Sequence, residues 1–385
     1  MRTAGGCTAL LGSVLACAGV AALTGSASAE LYSHLAESSV IGRDFGYPSG
    51  TPSQGHPPPG TLEFVPEVAV FMENIEKLGS VPGRTFVGFL MPLRFRLRPA
   101  EQVTFELGAL LGHDYGDDSQ LNTAEPIVRL VAEPVDDLFL VGGTLLPTHW
   151  IHDALLDDVN RLQSAEQGFQ VRADRETLKL DGWLNWRVRE TGVRAEEFEI
   201  ALATQLRPDW ALLDGLHIDG QVLWAHVGGQ QNSSDRVEHN LSLMGGGTYG
   251  VPHPFAVDWL EEVRAGGHYF RVFDDTRQLP STTGSGWEVA ASIDTRPWER
   301  VGLRVHGSYF DGTAFVARRG DPLYSLDDYA QLGMTLLFDL PADLRLEGGV
   351  VLQLGEGQFN GSFLINLVFG RAFPIPVMKA RNPAQ

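Results

Sequence analysis

Residues 84–99, RTFVGFLMPLRFRLRP, interleave two incompatible sets of side chains. Thr85, Val87, Phe89, Met91, Leu93, Phe95 and Leu97 form one alternate row, while the other row ends in Arg94, Arg96 and Arg98. A period of two belongs to an extended strand whose successive side chains point to opposite faces. Guanidinium groups stay ionised in proteins, and a dry core does not accept a row of them. The two faces of this strand must therefore meet two different solvents, one apolar and one wet.

The same pattern recurs along the chain. In EQVTFELGALLGHD, Val103, Phe105, Leu107, Ala109 and Leu111 oppose Gln102, Thr104, Glu106 and Gly108. LKLDGWLNWRVRE sets Leu178, Leu180, Leu184, Trp186 and Val188 against Lys179, Asp181, Asn185, Arg187 and Arg189. In EEFEIALATQLR, Phe198, Ile200, Leu202 and Leu206 alternate with Glu197, Glu199, Gln205 and Arg207. LRLEGGVVLQL places Leu344, Leu346, Val350 and Leu352 opposite Arg345, Glu347 and Gln353. Such segments run for roughly 9–13 residues and recur about every 20, separated by turn clusters such as HDYGDDSQ, GGQQNSSD and RRGDP.

Segment length selects the architecture. Strands of soluble sandwiches average about five or six residues, whereas crossing a bilayer at a tilt takes about 9–11. The expected fold is all-β, a transmembrane antiparallel β-barrel of about 16 strands, within a range of roughly 14–18. A large soluble sandwich or β-helix is the competing architecture. Trp186, Trp224, Trp259, Trp287, Trp298 and Tyr309 suit the aromatic girdles of a barrel, and would equally suit a core.

The chain ends fit export. Arg2, an apolar run through Leu23 and then Ala27-Ser28-Ala29 form the pattern of a cleaved bacterial signal peptide over residues 1–29. Val14-Leu15-Ala16-Cys17 is an alternative lipoprotein box, with Cys17 lipidated. Both cysteines, Cys7 and Cys17, lie in this leader, so conventional cleavage leaves no disulfide and no thiolate metal site. Cleavage also removes one charge, Arg2, taking the net charge from −19 to −20. An acidic chain of this kind is not drawn to nucleic acid. The expected organisation is a leader at 1–29, a Gly/Pro-rich lead-in or plug at 30–61, the barrel at 62–373 and a polar tail at 374–385. Residues 148–168 lack alternation and are expected to form a surface loop with room for a short helix.

In a barrel, lipid takes the apolar faces and the charged faces line a water-filled lumen. Arg94, Arg96, Arg98, Arg187, Arg189, Arg207, Arg304 and Arg345 then interleave with Glu106, Asp181, Glu197, Glu199 and Glu347 around the pore, with Arg94 and Arg96 facing Glu106. Charge rings of this sort set selectivity for a small polar or anionic solute or a polysaccharide. A lumen zipped shut by its own ion pairs is the alternative, leaving an anchor for surface polysaccharide or partner proteins.

Catalytic and metal motifs are weak. His306 and Ser308 resemble the histidine–serine pair of outer-membrane lipid hydrolases, but their phase turns them to the lumen rather than to lipid. His149 and His152 have spacing for a shared metal on a helical turn, without a third ligand nearby in sequence. Asp114, Asp117 and Asp118 form an acidic run without EF-hand spacing. No catalytic residue, metal or cofactor is expected, and the chain reads as a non-enzyme.

The closing segment GSFLINLVFGRAF keeps Phe363, Ile365, Leu367, Phe369 and Phe373 in one phase. It resembles the aromatic-ended last strand of bacterial outer-membrane barrels, although twelve residues follow Phe373. Residues 62–373 as a whole resemble porin-type barrels, which implies outer-membrane lipid and the barrel-assembly machinery as partners. More loosely, Glu166 and Gly168 followed by Asp181, Trp183 and Trp186 are similar to exopolysaccharide-export or capsule-associated barrels.

Overall fold

A computed structural model describes residues 58–375, apart from 77–82, 117–120, 122, 147–148, 158–164, 192, 209–214, 229–236, 276–281, 342–343 and 371. The leader, most of the lead-in, Asp117, Asp118 and the tail beyond 375 lie outside the described residues. The first eight strands are β1 (Thr61–Ile75), β2 (Arg84–Ala100), β3 (Val103–Asp114), β4 (Thr123–Val135), β5 (Leu138–Thr144), β6 (Gln167–Arg175), β7 (Leu178–Val188) and β8 (Glu196–Leu206). The remainder are β9 (Leu216–Gly228), β10 (Glu238–Pro252), β11 (Leu260–Asp275), β12 (Thr282–Trp298), β13 (Val301–Thr313), β14 (Asp328–Leu340), β15 (Leu344–Gly355), β16 (Gln358–Gly370) and β17 (Phe373–Ile375).

From β1 to β16 each strand pairs antiparallel with its sequence neighbours, and β1 pairs with β2 on one side and with β16 and β17 on the other. The sheet is thus a closed barrel of 16 staves, β17 continuing the line of β16 after a break at 371–372. Closure removes every free sheet edge, the condition for β-structure in hydrocarbon. Strand pairing reaches Ile375, opposite Leu62, so the barrel extends slightly past Phe373. Among the described residues no helix is long and apolar enough to cross a membrane, and none is needed.

Burial confirms the two faces. Phe105, Leu107, Val128 and Leu130 are 38–52% exposed on the outside, while Glu106 and Arg129 between them are at most 3% exposed. Large apolar residues outside and ionised groups inside are what lipid and an enclosed polar lumen each select. Exposed Trp186 and Trp287 lie toward one end of the barrel and exposed Trp259 and Trp298 toward the other.

The connections differ between the ends. At one end β2–β3, β4–β5, β6–β7 and β12–β13 are joined by two residues each, at 101–102, 136–137, 176–177 and 299–300. At the other end lie most of the longer connections, including 145–166 and 314–327. Short periplasmic turns and longer external loops are the usual polarity of outer-membrane barrels.

Residues 145–146 and 149–157 do not form the expected surface loop; they fold into the lumen. Ile151, Ala154 and Leu155 are fully buried. They pack with Trp183, Phe270, Phe310 and Tyr329 of the inner wall and with Phe315, Leu323 and Tyr324 of the second long connection. The two connections also bond to each other, Asp157 N to Arg319 O at 2.6 Å and Asp321 N to Asp153 O at 2.8 Å. No helix forms in the described part of 148–168; Leu155 N and Leu156 N both turn back to His152 O. Just before the chain leaves the wall stands Gly143, whose φ of +94° suits glycine, and where a Cβ would sit 2.2 Å from Val128 O.

Candidate functional site

An inward-folded chain carries backbone N–H groups away from water, and each needs an acceptor. The polar inner wall supplies them. Gln170 Oε1 accepts from Leu146 N at 3.0 Å, Asp181 Oδ2 from Trp150 N at 3.2 Å, and Gln221 Oε1 from His152 N at 2.7 Å. Arg129 donates to the carbonyls of Thr144 and Leu145 at 2.8 and 2.6 Å, where the chain leaves the wall.

The predicted charged residues separate into local groups. Arg94 lies 2.6 Å from Glu67 and 3.6 Å from Glu106, Arg96 2.9 Å from Glu106 and 3.7 Å from Glu63, and Arg129 2.7 Å from Glu106. Asp181 meets Arg172 at 3.1 Å and His149 at 3.3 Å. Arg187 faces Glu199 at 3.4 Å and Glu197 at 3.9 Å, with Arg319 also on Glu199 at 2.6 Å. Arg304 pairs with Asp294 at 2.6 Å, and Arg345 with Asp339 at 3.1 Å at an exposed end. Arg98 bonds the carbonyl of Glu101 in the adjoining turn, Arg207 contacts Gln205, Arg189 is exposed beyond β7, and Glu347 is buried. Glu106 and Asp181 are fully covered, so the described lumen is filled at these positions.

His149 and His152 point to different walls. His149 stacks on Trp183 at 3.7 Å and lies 2.6 Å from Glu166 and 3.3 Å from Asp181. His152 faces Glu288 at 3.2 Å. The pair does not converge on one ion as its spacing suggested. Burial alone would lower the His149 pKa, but Glu166 and Asp181 more than offset this and raise it above the usual 6.5. A raised folded-state value means this stabilisation is complete below about pH 6.5 and is lost as pH rises through the higher value. The hydrogen-exchange protection of residues 145–146 and 149–157, taken relative to unstructured-peptide rates at each pH, should therefore be greatest in mild acid and fall above neutrality. His149→Gln should flatten that dependence; an unchanged profile would assign it elsewhere.

His306 and Ser308 lie on the inner face, 2% and 7% exposed, with Ser308 beside Glu288. Burial holds the Tyr324 phenol protonated well above 10, so it donates to Glu288 at 3.1 Å.

A different polar group faces lipid at the long-connection end. Phe198, His226 and His239 stand opposite one another across β8, β9 and β10. They lie one step from Ile200, Trp224 and Leu241 in the lipid-facing phase, where Ile200 is 41% exposed. His226 Nδ1 lies 3.3 Å from His239 Nδ1, and its Nε2 lies 3.7 Å from Glu196. Phe198 stacks on His226 at 4.5 Å and Trp224 on His239 at 5.6 Å. Elsewhere at this end Thr85 donates to Asn74 at 2.7 Å, also in the outward phase. Strand alternation held the missed signal: a histidine two residues after Trp224, and another two before Leu241, each where lipid would select an apolar side chain.

A closed antiparallel barrel with an apolar exterior, a charged interior and asymmetric connections is an outer-membrane β-barrel protein. Residues 53–336 match the lipid A 3'-O-deacylase-type family, and the chain belongs to it. This membership overturns the expectation of a non-enzyme. Alternation reports which face meets lipid and is silent about chemistry, and no linear motif marked the lipid-facing histidines. Among solved structures, OmpT of Vibrio cholerae in its in-vitro folded trimer form shares 9% identity and a TM-score of 0.50, over 81% of this chain and 100% of that one. Its loop L8 deletion mutant gives 10% identity and 0.50, over 81% and 99%. OccK11 (OpdR) of Pseudomonas aeruginosa gives 14% identity and 0.47, over 82% and 98%. No curated protein matches by sequence.

Proposed function

We propose that this barrel hydrolyses an acyl ester of an outer-leaflet lipid, with His226 as general base and Glu196 as the carboxylate that orients it. The observation that carries this reading is an imidazole–carboxylate pair in the lipid-facing phase at the long-connection end. An embedded lipid reaches that surface directly, whereas Ser308 and Glu288 are enclosed. His226 accepts a proton from water as its oxygen adds to the ester carbonyl, and returns it to the departing alkoxide, giving a carboxylic acid and an alcohol. His239, 3.3 Å away, can hold or share the proton, and Phe198, Trp186 and Trp224 offer an apolar bed for the acyl chain. The family description supplies the first substrate class, acylated lipid A.

The full-length barrel in lipid vesicles, incubated with lipid A, should release one ester-linked fatty acid, read as the matching mass loss. Folded protein that leaves every acyl chain in place sinks the proposal. Within the same reading, residues 1–29 direct export and the barrel-assembly machinery inserts the chain. A mature N-terminus at Glu30 is the expected sequencing result, and retention of residues 18–29 on a lipidated Cys17 would replace it.

A second reading is passage of a small polar or anionic solute, or of polysaccharide, through the lumen. The Arg94, Arg96 and Arg129 group opposite Glu63, Glu67 and Glu106 favours it. With the lumen filled as described, conduction would require residues 145–146 and 149–157 to leave. Planar-bilayer recordings showing steady steps altered by Arg96→Gln would support that reading, and silence would remove it.

A further inference from the structure

We propose that His152, His268 and Glu288 bind a divalent transition-metal ion of the zinc class inside the lumen, tying the inward-folded connection to the barrel wall. The site lies apart from the lipid-facing histidines and stands or falls independently of ester hydrolysis.

Two ligands are fixed by the sheet. His268 on β11 and Glu288 on β12 are direct cross-strand partners, and both face inward. The third, His152, comes from the connection that folds in after β5. One ligand atom from each residue lies within 4.8 Å of the other two, and all three side chains are buried. That spread lets three ligands close on a single ion with small side-chain rotations, since metal–ligand bonds of about 2.0–2.2 Å hold ligand atoms about 3–3.5 Å apart.

Charge supplies the reason for an ion. Glu106, Asp181 and Glu199 are buried carboxylates, each faced by at least one guanidinium within 3.5 Å. Around Glu288 stand imidazoles and hydroxyls instead: His152, His268, Tyr324 and Ser308. Ala154 N–H donates to His152 Nδ1 at 3.1 Å. The other ring nitrogen of His152, Nε2, points at Glu288, 3.2 Å away. A buried carboxylate with no guanidinium beside it, and with two imidazoles within ligand reach, is a place where a metal cation can take the part that arginine plays elsewhere in the lumen.

The donor set selects the metal. Two imidazoles and one carboxylate suit zinc and its neighbours, while calcium and magnesium prefer all-oxygen shells. Binding through Nε2 of His152 requires that nitrogen to be free of its proton, so uptake releases protons where the ring starts out charged. Tyr324, bonded to Glu288, acts as the outer partner that orients a metal-bound carboxylate. Three protein ligands leave one position of a tetrahedral ion for water.

The test uses the full-length folded barrel, stripped with chelator and titrated with Zn²⁺ and then Co²⁺. One equivalent per chain is expected, with the visible spectrum of tetrahedral cobalt. Glu288→Gln and His268→Gln should abolish stoichiometric binding while heat-dependent gel mobility reports an intact barrel. Tyr324→Phe should weaken affinity by about 10–100-fold. His226→Gln, on the lipid-facing surface, should leave it unchanged. No uptake by the folded wild-type barrel, or uptake lost in His226→Gln and kept in Glu288→Gln, overturns the proposal.

Discussion

His226→Ala is expected to lower fatty-acid release from lipid A by about 10²–10⁴-fold, the usual contribution of a positioned general base. The heat-dependent mobility of the barrel should survive, because the imidazole lies on the outer surface rather than in the filled lumen. Glu196→Gln keeps size and polarity but removes the charge that steadies the protonated ring, so a smaller loss is expected, mainly in kcat. His239→Gln should separate a proton-sharing partner from a packing one. If His226→Ala retained more than about a tenth of wild-type activity, general-base catalysis by this residue would be untenable.

The second large effect is structural. Glu106 sits among Arg94, Arg96 and Arg129 with no solvent exposure, and Arg129 in turn holds the carbonyls of Thr144 and Leu145. Glu106→Ala leaves Arg94, Arg96 and Arg129 with only Glu67 and Glu63 to face them, one positive charge in excess in an enclosed space. Breaking a buried ion pair from one side typically costs about 3–5 kcal/mol, because the remaining charge stays buried. Urea unfolding in detergent, followed by tryptophan emission, should show that loss. Proteolysis at the start of the inward segment should quicken as Arg129 loses the carboxylate that places it. A destabilisation below about 1 kcal/mol would mean that water reaches this group and screens it.

The alternation of RTFVGFLMPLRFRLRP already required a strand between an apolar and a polar space, and its repetition in segments long enough to cross a bilayer favoured a barrel over a soluble sandwich. Arg94 and Arg96 meet Glu106 as expected because neighbouring strands joined by a two-residue turn have a nearly determined register. His149 and His152 behaved differently. Nothing local states that one meets Asp181 on β7 and the other Glu288 on β12, or that a polar-looking connection buries Ile151 and Leu155. Those contacts depend on closing the barrel and on the inner-wall acceptors that satisfy the inward chain's N–H groups. His226 and His239 were visible as residues, but their contact depends on the β9–β10 register. Period-two patterning therefore determined which solvent each face meets, because that is a property of one strand at a time. Which groups converge to do chemistry was decided by the tertiary structure, because convergence needs register between strands and the path of a connection through the lumen.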